Sequence, residues 1–231
     1  MEEPLKYLYK QYGFDGSEIK EIAVGEKYLA VLLTNGDMGV CAISKNRIED
    51  DFAKIEKPNL ELIAHRIFYT AWLNAMLNYE NDYSDQKDIL DLIDFSGYRR
   101  IVMIGYFKPV AEKLHKAEIG FSVFDLYKQD KEIVPMEMQR EYVSGADAVI
   151  LTATSIFNNT FRNIVCNTSP GACDIFVLGP SAILSKELMK YRNVKSVFGF
   201  IFPKEGVKAL QVIREGGGTR SFNKFGSKVY I

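Results

Sequence analysis

From about residue 97 to the C-terminus, short runs of almost unbroken apolar residues alternate with stretches of helical spacing. That alternation leaves the chain few folds to choose from. Residues 100–105, 120–125, 146–153, 174–179 and 195–202 have strand length and strand composition. Residues 109–116, 156–166, 185–191 and 203–215 carry helical spacing, Gly216-Gly217-Gly218 then breaks the chain, and residues 228–231 close it as a last strand. A strand that is apolar at successive positions must be covered on both faces, and strands separated by helices run parallel. The expectation is an α/β domain with helices on both sides of a mostly parallel sheet.

The preceding stretch reads differently. Residues 5–12 place apolar side chains at 5, 8, 9 and 12, a helix stopped by Gly13. Residues 21–34 and 38–43 are β-prone and flank Asn35-Gly36, a pair that tolerates positive φ, so they read as a β-hairpin. Residues 62–79 are apolar on several faces, as in a helix buried on more than one side, and residues 86–93 form a shorter helical piece. With Ser96-Gly97 as boundary, the sequence divides into a smaller α+β unit, residues 1–96, and the α/β unit, residues 97–231.

The balance of 29 basic and 30 acidic residues gives a net charge of −1, with no overall basic field to grip nucleic acid or an anionic membrane. Met1-Glu2-Glu3-Pro4 lacks the apolar segment of a signal peptide, and no run approaches the length of a membrane span. A cytoplasmic location is the default expectation. The partner expected is a small molecule, neither nucleic acid nor membrane, and a homo-oligomer is left open.

In open α/β sheets ligands sit beyond the carboxyl ends of the strands, where strand order reverses. The candidate site residues therefore follow the strands. Gly105 permits a tight turn into a helix whose amides can face an anion, although a full dinucleotide fingerprint is missing. Asp125, twenty residues on, holds the position of a ribose-binding acid; a turn or N-cap aspartate explains it as well. Thr152, Thr154, Asn158 and Thr160 make the most polar strand exit, more hydroxyls and amides than capping one helix requires. Gly179, Pro180 and Ser181 combine close approach, a fixed turn and a hydroxyl, or simply form a well-built turn.

Metal and nucleophile chemistry find little support. His65 and His115 have no partner at ligand spacing, and no Ser-His-Asp order is present. Cys166 and Cys173 are not a CxxC pair and read as small buried residues, with a strained or regulatory disulfide as the alternative. Glu80, Asp82 and Asp85 read as a solvated turn.

Taken together, Ile104-Gly-Tyr-Phe-Lys-Pro109, residues 146–154, Asn158-Asn-Thr160, Val177-Leu-Gly-Pro-Ser181 and Glu215-Gly-Gly-Gly218 resemble the putative heavy-metal chelation family. So do Val24-Gly25-Glu26, Gly39-Val40 and Asn74-Ala75. The resemblance implies an enolase-N-terminal-like α+β domain followed by a Rossmann-like α/β domain, with the site in the cleft between them. It adds Phe107 and Asn74, the latter facing the cleft from the first domain. The chain departs from the family at Asp125-Leu126, where an acidic–basic pair is common. Two functions follow as expectations: a binder of a chelator, a metal chelate or a related small anion, or an enzyme using a nucleotide-like cofactor such as S-adenosylmethionine or a dinucleotide.

Overall fold

The structure, a computed structural model, describes residues 1–48, 51–83, 86–128, 130–203 and 206–231. Its elements run α1 (Pro4–Tyr12), β1 (Ile19–Val24), β2 (Tyr28–Leu33), β3 (Met38–Ala42), α2 (Ile63–Leu77), α3 (Ile89–Leu92), β4 (Ile101–Ile104), α4 (Lys108–Lys116), β5 (Phe121–Phe124), α5 (Gln139–Gly145), β6 (Ala148–Thr152), α6 (Thr154–Phe157), α7 (Phe161–Asn167), β7 (Asp174–Leu178), α8 (Lys186–Met189), β8 (Val194–Ile201), α9 (Val207–Arg214), α10 (Thr219–Phe222) and β9 (Ser227–Tyr230).

The apolar runs become a six-stranded sheet of order β5-β4-β6-β7-β8-β9, parallel except for β9. Its side chains alternate between two cores, as the pleat requires. Val102, Ile104, Val149, Leu151, Ile175 and Val177 join α1 and α2 on one face, while Ile101, Met103, Ile150 and Phe176 meet Val110, Ala111 and Leu114 of α4 on the other. From β4 the chain steps to β5 on one side and then crosses to β6 on the other. Strand order therefore reverses beside β4, and a crevice opens at the carboxyl ends of β4 and β6.

The N-terminal strands make a three-stranded antiparallel meander, β1-β2-β3, rather than a hairpin alone. The long β-prone run breaks at Gly25, whose amide donates to the Tyr28 carbonyl at 2.9 Å and whose missing side chain lets the Ile213 carbonyl approach; a Cβ there would lie 1.8 Å from that oxygen. All of β2 is buried because both faces are covered, by α2 on one side and by α9 and α10 on the other. Helices from the C-terminal stretch thus pack on the N-terminal sheet.

Other departures have local causes. Residues 156–166 form two short helices, α6 and α7, because Asn159 takes a left-handed conformation (φ 59°) between them. The helix expected at 86–93 shrinks to α3, closed by a capping box of Asp88 and Asp91. Helices α5 and α10 lie outside the stretches of helical spacing. Lys204 and Glu205, where the helix of 203–215 was expected to begin, lie outside the described residues, as does Asp85; Glu80 and Asp82 are exposed. Cys166 is exposed rather than buried, and all three cysteines are free thiols. Among the described residues, no helix is long and apolar enough to cross a membrane.

Polar joints fix α2 against the large sheet. The Arg66 guanidinium, 5% exposed, pairs with Glu3 at 2.6 Å and donates to the carbonyls of Phe157 (2.5 Å), Ile156 (2.7 Å) and Leu60 (3.1 Å). At the other end of the helix, the Asn78 amide donates to Ala182 O and accepts from Leu184 N. Removing one partner of a buried ion pair strands the other. Arg66→Met is therefore expected to lower the unfolding free energy in urea by about 3–5 kcal/mol, with much of the loss recovered when Glu3→Gln is added. A loss below about 1 kcal/mol would show that the pair is dispensable.

Candidate functional site

The strand exits border a cleft of about 850 Å³ that runs along the carboxyl edge of the large sheet. The β4 exit supplies Gly105 and Phe107. Gly105 has φ 86°, and its amide donates to Phe124 O at 2.8 Å. A Cβ on Gly105 would stand 2.7 Å from that of Thr152, so only glycine lets the β4 and β6 exits touch. The β6 exit supplies Thr152, Thr154, Ser155, Asn158 and Thr160. The Thr152 and Thr154 hydroxyls bond each other at 3.0 Å, and the Thr160 amide donates to Ser155 O, which holds the short turn between α6 and α7. Within the described structure the buried Ser155 hydroxyl has no hydrogen-bond partner. The β7 exit supplies Gly179 and Pro180.

Asp125 also lines the cleft, but its carboxylate is engaged. One oxygen accepts from Tyr106 N at 2.8 Å, and the other accepts from Tyr127 N and Lys128 N at 2.8 and 2.9 Å. It is thus the clamp of its own turn and ties the β5 exit to the β4 exit.

Two of the expected residues stand elsewhere. Asn74 is buried in α2, where its amide donates to Val40 O at 2.8 Å; this is the point where Gly39 lets β3 approach the helix so closely that a Cβ would meet Ala71 O at 2.1 Å. Ser181 is buried and its hydroxyl accepts from Ala42 N at 2.9 Å. Neither lines the cleft. Both are joints onto the outer edge of β3, Asn74 from α2 and Ser181 from the loop after β7.

The remaining wall comes from residues that the strand-exit rule does not select. Lys27, Tyr28 and Ser44 border the cleft from the antiparallel sheet, and Thr219 and Arg220 from the segment after the three glycines. The Tyr28 hydroxyl and Thr219 Oγ1 share a hydrogen bond of 2.7 Å, and the Tyr28 ring packs edge-on against Phe222. Burial pushes the Tyr28 phenol above its ordinary pKa, and the bond to Thr219 offsets part of that rise. The only signal in the sequence was the glycine run itself.

The cleft is basic although the chain is not. Lys27, Lys87, Lys108, Lys128, Arg220 and Lys228 line it, against the carboxylates Asp88 and Asp125. Burial alone would raise the Asp88 carboxyl, but Lys228 at 2.9 Å, the Ile89 amide and Lys113 hold it below the usual range, so it stays ionised and tied to lysine. No histidine or cysteine lines the cleft, and the described residues contain no cluster of three or more metal-ligating side chains. His65 Nδ1 accepts from Asn59 N, and His115 meets Glu132 at 3.1 Å on the surface. The lining thus lacks the nitrogen and sulfur donors that soft and borderline metals prefer.

The sequence model of a family described as putative heavy-metal chelation, DUF364, matches residues 88–231. Among solved structures, the fold is similar to a DUF364 protein of unknown function from Pyrococcus horikoshii, at 21% identity and TM-score 0.75 over 92% of each chain. It is also similar to one from Desulfitobacterium hafniense DCB-2, at 17% identity and TM-score 0.77 over 98% of this chain and 97% of that one. At these identities the likeness is one of fold, and it includes the N-terminal sheet outside the matched segment. No curated protein matches the sequence.

Because Asp125 serves three amides, that of Tyr106 partly buried and those of Tyr127 and Lys128 exposed, Asp125→Ala is expected to destabilise the fold by about 1 kcal/mol in urea, the net worth of a typical hydrogen bond. A variant as stable as the parent would show that the turn holds without its carboxylate.

Proposed function

The chain belongs to the DUF364 family, described as putative heavy-metal chelation, and from that premise we propose that its cleft binds a small, multiply anionic organic molecule of the chelator class, free or carrying its metal. One observation carries the reading: among the described residues, six cationic side chains and two carboxylates border a single cleft in a protein of net charge −1. Asp125 is engaged by amides, and Asp88 by Lys113 and by Lys228, itself one of the six, so the described lining keeps an excess of positive charge. Charges gathered around a low-dielectric cleft focus the field and attract counter-ions. The half-buried side-chain amide of Asn158 and the hydroxyls of Thr152, Thr154 and Ser155 supply directional bonds at the floor. A metal would arrive as cargo with its own organic ligands, because the cleft offers it no histidine or thiolate.

The second reading, an enzyme with a nucleotide-like cofactor, draws support from the position of the cleft at the reversal of strand order. It is the weaker of the two, because the acid that would hold a ribose is already committed to three backbone amides.

The test is calorimetric titration of the untagged protein with nitrilotriacetate, with its nickel(II) complex, and with nickel(II) alone. Both forms of the chelator are expected to bind, more weakly as salt is raised. Lys27→Ala combined with Arg220→Ala is expected to cost about tenfold in affinity, two solvent-facing charge contacts at roughly 0.5–1 kcal/mol each. Affinity unchanged in the double variant, or nickel(II) alone binding as tightly as the chelate, would contradict the reading.

A further inference from the structure

Charge accounts for the rim of the cleft but not for its middle. Between the hydroxyl-rich β6 exit and the Lys27–Arg220 end, the wall is built from Phe107, Leu178, Phe198 and Phe200, together with two positions that have no side chain, Gly179 and Gly199. Phe198 and Phe200 are buried in the wall and each has an aromatic neighbour: Phe198 packs on Tyr230 at 5.6 Å, and Phe200 on Phe202 at 5.1 Å. Phe107 differs. It is half-buried, it stands at the reversal of strand order, and among the described residues it packs against no other aromatic ring. One ring edge rests on the β7 turn, where a Cβ on Gly179 would lie 3.9 Å from Phe107 Cε1. An aromatic ring that lines a cleft with no ring partner of its own is suited to stack on a planar ligand.

The size of the cleft points the same way. About 850 Å³ lies in the range of sites for drug-sized ligands and well above what a small aliphatic carboxylate fills. The cleft follows the sheet edge past β6, β7 and β8, strands spaced about 4.8 Å apart, so a bound molecule is drawn out along the edge rather than compact.

Building on the anion-binding reading, we infer that the ligand class is an aromatic acid: a planar ring or ring system seated against Phe107 over the Gly179 turn, with its anionic groups toward the cationic rim and a hydrogen-bonding edge toward Thr154, Ser155 and Asn158. The unpartnered Ser155 hydroxyl, 1% exposed at the floor of the cleft, is the protein group that such an edge would satisfy.

Pyridine-2,6-dicarboxylate and glutarate separate the inference from the reading beneath it. Both are dianions near neutral pH with three atoms between their carboxyl carbons, and only the first has a ring. Calorimetry on the full chain is expected to show pyridine-2,6-dicarboxylate binding about tenfold more tightly than glutarate, the scale of one aromatic stacking contact. Phe107→Leu, which keeps an apolar side chain of similar reach, is expected to shrink that ratio to about twofold while leaving glutarate affinity within about twofold. Equal affinities for the two dianions in the parent protein would overturn the aromatic assignment and leave anion binding standing. A ratio that survives Phe107→Leu would overturn the role of Phe107. Failure of both dianions to bind would overturn the inference together with the reading on which it rests.

Discussion

The fold turns on a buried guanidinium. Arg66 lies in α2, sealed from solvent, and binds at once to the Glu3 carboxylate before α1 and to the carbonyls of Ile156 and Phe157 at the end of α6. An arginine is suited to this because its planar fork serves several acceptors while remaining charged. The consequence reaches the cleft. Helix α6 is one turn long, too short to hold itself in water, and it begins immediately beyond the β6 exit. Anchoring its last carbonyls to α2 sets where the chain turns at Asn158, Asn159 and Thr160. The polar floor of the cleft is thus positioned from the N-terminal layer, although all of its residues belong to the α/β stretch.

The rest of the cleft depends on how the second sheet is covered. A small meander with one face on α2 would leave Tyr28, Ala30, Leu32, Met38 and Val40 facing water. Helices α9 and α10 come back across it and bury that face together with Phe200, Phe202 and Phe222. The three glycines make this return fit: Gly216 has φ 83°, and Gly217 passes so near Val212 that a Cβ would lie 2.4 Å from its side chain. Covering a hydrophobic face is what carries Thr219 and Arg220 to the mouth of the cleft beside Tyr28 and Lys27. Stability and site geometry here share one cause.

This explains what the sequence could and could not disclose. The strands of the large sheet were legible because burial on both faces writes itself as continuous apolar runs, and Gly105, Phe107, Asp125, Thr152, Thr154, Asn158, Thr160, Gly179 and Pro180 all border the cleft because strand exits converge by topology. The break at Asn159 was hidden, since a left-handed asparagine looks like any polar residue in a helix. Asn74 and Ser181 show the converse difficulty. A polar side chain in an apolar setting reads the same whether it awaits a ligand or closes a backbone joint, and both of these close joints. Lys27, Tyr28 and Arg220 could not be found from strand exits because they arrive through the packing of α9 and α10 on a sheet far away in the chain.

On the proposed reading, the cleft recognises an organic anion, and any metal enters with that anion rather than through protein ligands. Crystals of the protein grown with a nickel chelate of an aromatic dicarboxylate, with anomalous data collected at the nickel edge, decide the matter. One anomalous peak is expected inside the cleft, beyond the ends of β4 and β6, with the organic molecule coordinating the metal and Lys27 or Arg220 facing its carboxylates. A nickel ion coordinated directly by protein side chains, or a chelate bound anywhere other than this cleft, would contradict it.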